Sequence, residues 1–102
     1  MNGLAVARQI APCSTRFILG GESCFFDPRH NVIVLTSAAA FGVDRWSRVK
    51  AAHEAVHAVQ AAQWPWALRW PMSWCVPIRL LLEAAAWREA WMATCEQVPS
   101  KP

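Results

Sequence analysis

The spacing of apolar and polar positions changes period along this 102-residue chain, from strand-like in its first third to helical thereafter. Residues 15–19 (Thr-Arg-Phe-Ile-Leu) and 23–26 (Ser-Cys-Phe-Phe) are short stretches rich in β-branched and aromatic residues, separated by the turn residues Gly20, Gly21 and Glu22. They predict two strands. Asp27, Pro28, Arg29, His30 and Asn31 supply turn chemistry before Val-Ile-Val-Leu at 32–35, a third strand. The expected arrangement is a three-stranded antiparallel meander. Residues 36–41 form a connector with some helical tendency, ended by Gly42. From Asp44, an N-cap residue type, the period is helical to Gln63. Trp46, Val49, His53, Val56 and Gln60 fall on one stripe with His57 beside them, so the histidines are expected to face the core. Pro65 and Pro71 interrupt any regular helix through the Trp-rich stretch that follows. Pro77 suits the first turn of a second helix over about 78–97, and 98–102 reads as a loose tail. The fold class expected is α+β.

Length sets one domain over 1–102, with a core at about 15–97. A hydrophobic content of 55% against 17% charged residues places the chain among folded proteins. The net charge of +3 comes from scattered basic residues, which argues against nucleic acid as a partner. Cys13, Cys24, Cys75 and Cys95 contain no pair at the two-residue gap of a zinc knuckle or redox motif, so buried free thiols in a reducing compartment are expected, with two disulfides as the alternative. Residues 1–12 carry Arg8 and Gln9 and no continuous apolar run, unlike a signal peptide. Arg69, Arg79 and Glu83 break every apolar window long enough to span a membrane. A cytoplasmic protein without a transmembrane segment is the expectation. Seven Trp and four Phe are too many for one small core, so the Trp-rich region is expected to meet a protein partner or a second copy of the chain.

His53-Glu54-Ala55-Val56-His57 is an H-E-x-x-H pentad inside the helical stretch. Residues four apart share a helix face, so both imidazoles can hold one zinc ion while Glu54 serves as general base toward a zinc-activated water. In the longer H-E-x-x-H-x-x-G-x-x-H pattern a Gly and a His follow; here Gln60 and Gln63 stand there, which excludes a downstream third histidine. His30 lies upstream in a turn and is expected to be exposed. The carboxylates left are Glu83, Glu89 and Glu96. Glu83 is preferred as third ligand because it shares a stripe with Leu80, Trp87 and Ala90, a face expected to pack on the first helix. A salt bridge to Arg79 is its alternative. Glu89, on a face with Met92 and Glu96, is the reserve.

The segments Cys24-Phe25-Phe26-Asp27, Asn31 to Leu35, His53 to Gln60 and Leu82 to Trp87 together resemble the smallest gluzincin metallopeptidases, stand-alone zincin-like domains found among bacterial and phage-borne proteins. The resemblance covers about 15–97, and the pentad is its specific part. It implies zinc on His53, His57 and Glu83, with Glu54 as general base. It also implies that Ser23, Cys24, Phe25 and Phe26 form an edge strand that binds an extended peptide or protein substrate by backbone pairing. Two positions depart from the family: Trp87 stands where many gluzincins have an Asp that orients a histidine, and no Tyr is present to stabilise an oxyanion. His30, Arg69, Arg79 and Arg88 are possible substitutes. The function expected is a zinc-dependent peptidase. The alternatives are a zinc-binding module that acts through its Trp-rich surface, and a metal-free helical protein lying on a membrane.

Overall fold

The computed structural model of the protein describes residues 1–64 and 76–96. The Trp-rich stretch with Pro65, Trp66, Arg69, Trp70, Pro71, Trp74 and Cys75 lies outside the described residues, as does the tail. Seven elements follow in order: α1 (Gly3–Ile10), β1 (Arg16–Leu19), β2 (Phe25–Asp27), β3 (Val32–Leu35), α2 (Ser37–Phe41), α3 (Arg45–Gln63) and α4 (Val76–Glu96). The fold is α+β.

The sheet is mixed, which corrects the antiparallel meander. Its order is β1-β3-β2; β1 runs parallel to β3 and β2 antiparallel to it. The reason lies in composition. Val32, Ile33 and Leu35 are buried, whereas β1 and β2 contain no buried residue, so the all-apolar strand takes the centre. The chain reaches the far side of β3 by turning around its end, where the Gly20 and Gly21 N–H groups both donate to the Leu35 carbonyl (2.9 and 3.2 Å). Gly20 turns at φ +86°, a left-handed conformation open to glycine at little cost. Strand bounds shift as well: Ser23 and Cys24 precede β2, and Thr15 precedes β1.

α1 has no counterpart in the sequence reading, and the core expected over 15–97 also takes it in. Asn2 caps it by accepting from Ala5 N (2.9 Å), and Val6 and Ala7 are fully buried. The capping of the later helices follows local chemistry. Thr36 accepts from Ala39 N ahead of α2, and Asp44 accepts from Ser47 N (3.0 Å) and Ser47 Oγ (2.7 Å) ahead of α3. These bonds to Ser47 hold the Asp44 carboxyl below its usual range.

α3 is the central element. Residues 51–58 are buried without interruption, because α1 covers one side, α4 another, and α2 and the strands the remainder. Ala51, Ala52, Ala55 and Ala58 keep its surface low enough for these neighbours to approach closely. Two details of the expected stripes change. Trp46 is 55% exposed while Val49, His53, Val56 and Gln60 are buried. On α4 the buried face is Ala86, Ala90 and Thr94, and Leu80 is exposed, since only small side chains fit against the alanines of α3. Among the described residues no helix is long and apolar enough to cross a membrane. Cys13 and Cys95 are free and exposed and Cys24 is free and half-buried, so these thiols are not the buried ones expected.

Candidate metal centre

α3 and α4 carry the site between them. Val49 and Ala52 of α3 and Ala90 of α4 share one apolar cluster with Val6, and this contact fixes the helix pair. Glu83, seven residues before Ala90, thereby stands over the two histidines. Its Oε1 lies 2.8 Å from His53 Nε2 and 2.9 Å from His57 Nε2. The donor atoms of His53, His57 and Glu83 all fall within 4.8 Å of one another, a group that can hold a metal ion.

Both histidines are 6% exposed and each is held from behind. His53 Nδ1 donates to Glu54 Oε2 (2.9 Å), and His57 Nδ1 donates to Gln60 Oε1 (2.9 Å). Gln60 Nε2 in turn donates to the Leu82 carbonyl of α4 (3.0 Å). Trp87 stacks on the face of His53 with centroids 3.9 Å apart. It occupies the place of the aspartate expected in a gluzincin and contributes a flat apolar surface instead of a hydrogen bond.

The donor set fits a metal such as zinc, which binds imidazole nitrogen and carboxylate oxygen at about 2.0–2.2 Å. Tetrahedral donors at those lengths sit about 3.3 Å apart, so each Glu83 contact would open by roughly half an ångström. Electrostatics hold Glu83 in the anionic form a ligand needs and favour a proton on His53 that a metal would displace. Burial pushes the Glu83 carboxyl up, but hydrogen bonds from His53 and His57 outweigh it and the group lies below its usual value. Burial pushes His53 down, and its bonds to Glu54 and Glu83 more than offset this, so it lies above its usual value. An anionic carboxylate between two imidazoles attracts a cation, proton or metal.

A cavity of about 740 Å³ opens on the site, lined by His53, His57, Glu83, Glu54 and Trp87 from the helices. Ser23, Cys24, Phe25 and Phe26 line its opposite wall, and β2 is an edge strand in the sheet. The structure therefore brings together each residue expected at the site. Glu54 is 8% exposed and bonded to His53, where the pentad reading has it aimed at the open metal position. The reserve ligand Glu89 is exposed and outside the cluster. Arg79 forms no ion pair with Glu83 among the described residues. His30 is exposed, pairs with Asp27 at 2.7 Å and does not line the cavity, and neither do Arg79 and Arg88. Two residues of the site went unread in the sequence. Lys50 is the one Lys or Arg lining the cavity among the described residues, and its position one turn before His53 and Glu54 was the available signal. Gln60 stands three residues past His57, and the sequence places it on the core-facing stripe and in place of a glycine without indicating its hydrogen bonds. No family model matches the chain, and no curated protein or solved structure is detectably similar to it.

Proposed function

We propose that the protein is a zinc-dependent, gluzincin-like peptidase that hydrolyses peptide bonds in an extended segment of a peptide or protein. The observation that carries this reading is the convergence of His53 Nε2, His57 Nε2 and Glu83 Oε1 on one point at the floor of a cavity that also contains Glu54. Zinc, when bound, lowers the pKa of a coordinated water to about 7 and polarises the substrate carbonyl. His53, His57 and Glu83 would hold the ion by three protein donors beside the cavity. Glu54, which lines the same cavity, would accept the proton released by the water, turning from His53 Nδ1 to do so, and return it to the leaving amine. The outer edge of β2 offers backbone groups to an extended substrate, with Phe25 and Phe26 beside it.

Zinc content and hydrolysis of an unfolded protein substrate are measured together for wild type and Glu54→Gln. About one zinc per chain in both proteins, with cleavage only in wild type, supports the reading. Cleavage undiminished in Glu54→Gln overturns the peptidase mechanism. A second reading, a zinc-binding interaction module without turnover, draws on the exposure of Trp46 and Trp91, the latter under the Arg45 guanidinium at 3.5 Å. It is favoured if zinc binds stoichiometrically and wild type cleaves nothing.

A further inference from the structure

We infer that Gln60 is a positioning residue that fixes the metal-facing nitrogen of His57 and ties it to the segment of α4 that carries Glu83; this rests on the metal-binding reading above. The assignment follows from which atoms can donate. The Leu82 carbonyl only accepts, so the Gln60 atom 3.0 Å from it is the amide nitrogen. The amide oxygen must then face His57 Nδ1, at 2.9 Å, and a carbonyl oxygen there requires Nδ1 to carry a proton. With Nδ1 protonated, a metal that displaces the other proton meets the lone pair at Nε2, the atom that faces Glu83 and His53.

Gln60 is 5% exposed, and both ends of its amide are engaged. One side chain therefore does two things. It selects the tautomer of one ligand, and it anchors the backbone one residue before another ligand on a different helix. Groups that hold a ligating histidine from behind in this way typically change metal affinity roughly 10- to 100-fold when removed. Gln60 differs from the usual carboxylate in such positions because its second arm crosses from α3 to α4. Its loss is expected to alter the geometry of the whole three-donor set as well as the basicity of His57.

Cobalt(II), which gives an absorption spectrum sensitive to coordination geometry, is titrated into the full chain as wild type, Gln60→Met and Gln60→Glu. Far-ultraviolet circular dichroism of each variant records whether the helices persist. Gln60→Met keeps the volume and removes both hydrogen bonds; it is expected to bind cobalt roughly 10- to 100-fold more weakly with altered visible bands. Gln60→Glu restores an acceptor for His57 Nδ1 and loses the donor to Leu82. It is expected to recover most of the affinity while the bands stay shifted. Wild-type affinity and an unchanged spectrum in Gln60→Met overturn the role of Gln60 and leave the metal reading intact. A wild type that takes up no cobalt or zinc overturns the metal reading and this role with it. If Gln60→Met does not fold, Gln60→Glu decides, because a wild-type spectrum there removes the link to α4.

Discussion

Trp87 lies flat against His53, its indole and the imidazole inclined by only 15° with centroids 3.9 Å apart. The same indole is stacked with Trp46, at 5.7 Å and 5°. A hydrogen-bonding residue in this place would fix a ligand by one directed contact. A stacked indole instead restricts rotation of the ring about its long axis and keeps water from one face. Stacked aromatic pairs contribute about 0.5–1.5 kcal/mol beyond area burial, which corresponds to roughly 2- to 13-fold in an equilibrium constant. Trp87→Leu is therefore expected to weaken zinc binding about tenfold, measured by competition with a chromogenic chelator, while Trp87→Phe stays within a few-fold of wild type. Equal affinities in all three proteins would show that the stack does not hold the ligand.

Acid and base should act oppositely on the chelator-treated protein. Glu83 lies below its usual 4.5, so its contribution to stability is present above that pH and is lost as pH falls through the folded value. His53 lies above its usual 6.5, so its contribution is complete below that pH and disappears as pH rises through the folded value. The two share one contact, and stability of the metal-free protein is expected to be greatest between about 4.5 and 6.5. Zinc-loaded protein should gain stability as pH rises above 6.5, since metal replaces protons on the same atoms. Urea midpoints across pH with and without zinc check both halves, and parallel curves would refute the idea that protons and metal compete for these ligands.

The site depends on how closely α4 approaches α3, and that approach depends on side-chain size at Ala90. Ala90 is fully buried in the cluster with Val49 and Ala52. Ala90→Leu inserts bulk where none fits and is expected to cost about 1–3 kcal/mol in stability. It should also lower zinc affinity, because Glu83 moves away with α4 while His53 and His57 remain on α3. Ala90→Gly removes a methyl without wedging the helices apart and should keep zinc bound. A loss of zinc equal in both variants would point to general destabilisation instead of helix separation.

Gly3 makes the same argument at the other side of α3. A Cβ there would stand 2.0 Å from the Ala39 carbonyl oxygen and 3.1 Å from the Ala51 Cβ, and the Gly3 N–H donates to the Gly42 carbonyl at 3.1 Å. Gly3→Ala thus pushes α1 off α2 and α3 despite the better helix propensity of alanine. A destabilisation of about 1–3 kcal/mol in chemical denaturation is expected. A stabilised Gly3→Ala would mean that α1 does not pack as described.

What could be read from the sequence was local. Asp44 announces α3, Pro77 falls in the first turn of α4, and the pentad with Glu83 names the three donors, because caps, helical spacing and ligand chemistry depend on residues a few positions apart. Strand order is different in kind. Whether β1 pairs with β2 or with β3 depends on which strand needs two neighbours, and the burial of Ile33 and Leu35 decides that only once α1 and α3 cover the sheet. α1 is equally local in its signal: Asn2 followed by apolar or small residues at 3, 6, 7 and 10 has helical spacing. Hydropathy puts Leu80 on the packed stripe, whereas the buried face of α4 consists of the smaller Ala86, Ala90 and Thr94, with Ala90 against Val49 and Ala52.

With the peptidase reading, Lys50 is the candidate for the role of the missing tyrosine. It precedes His53 by three residues and Glu54 by four, so its side chain shares their face of α3 and lines the cavity beside them. Its ammonium also lies 5.8 Å from the centre of the Trp46 ring, which stacks with Trp87. A cation there can lean toward negative charge that develops on a substrate carbonyl, a contribution worth about 100- to 1000-fold in kcat when one such donor is lost. With the peptidase reading, Lys50→Met is expected to lower kcat about 100-fold and leave zinc content at the wild-type value. Lys50→Arg keeps the charge and should retain a measurable part of the rate. The division between constants is informative. A fall in kcat at constant KM means Lys50 acts in the transition state, whereas a rise in KM at constant kcat means it binds substrate and transition state alike and another group must stabilise the oxyanion.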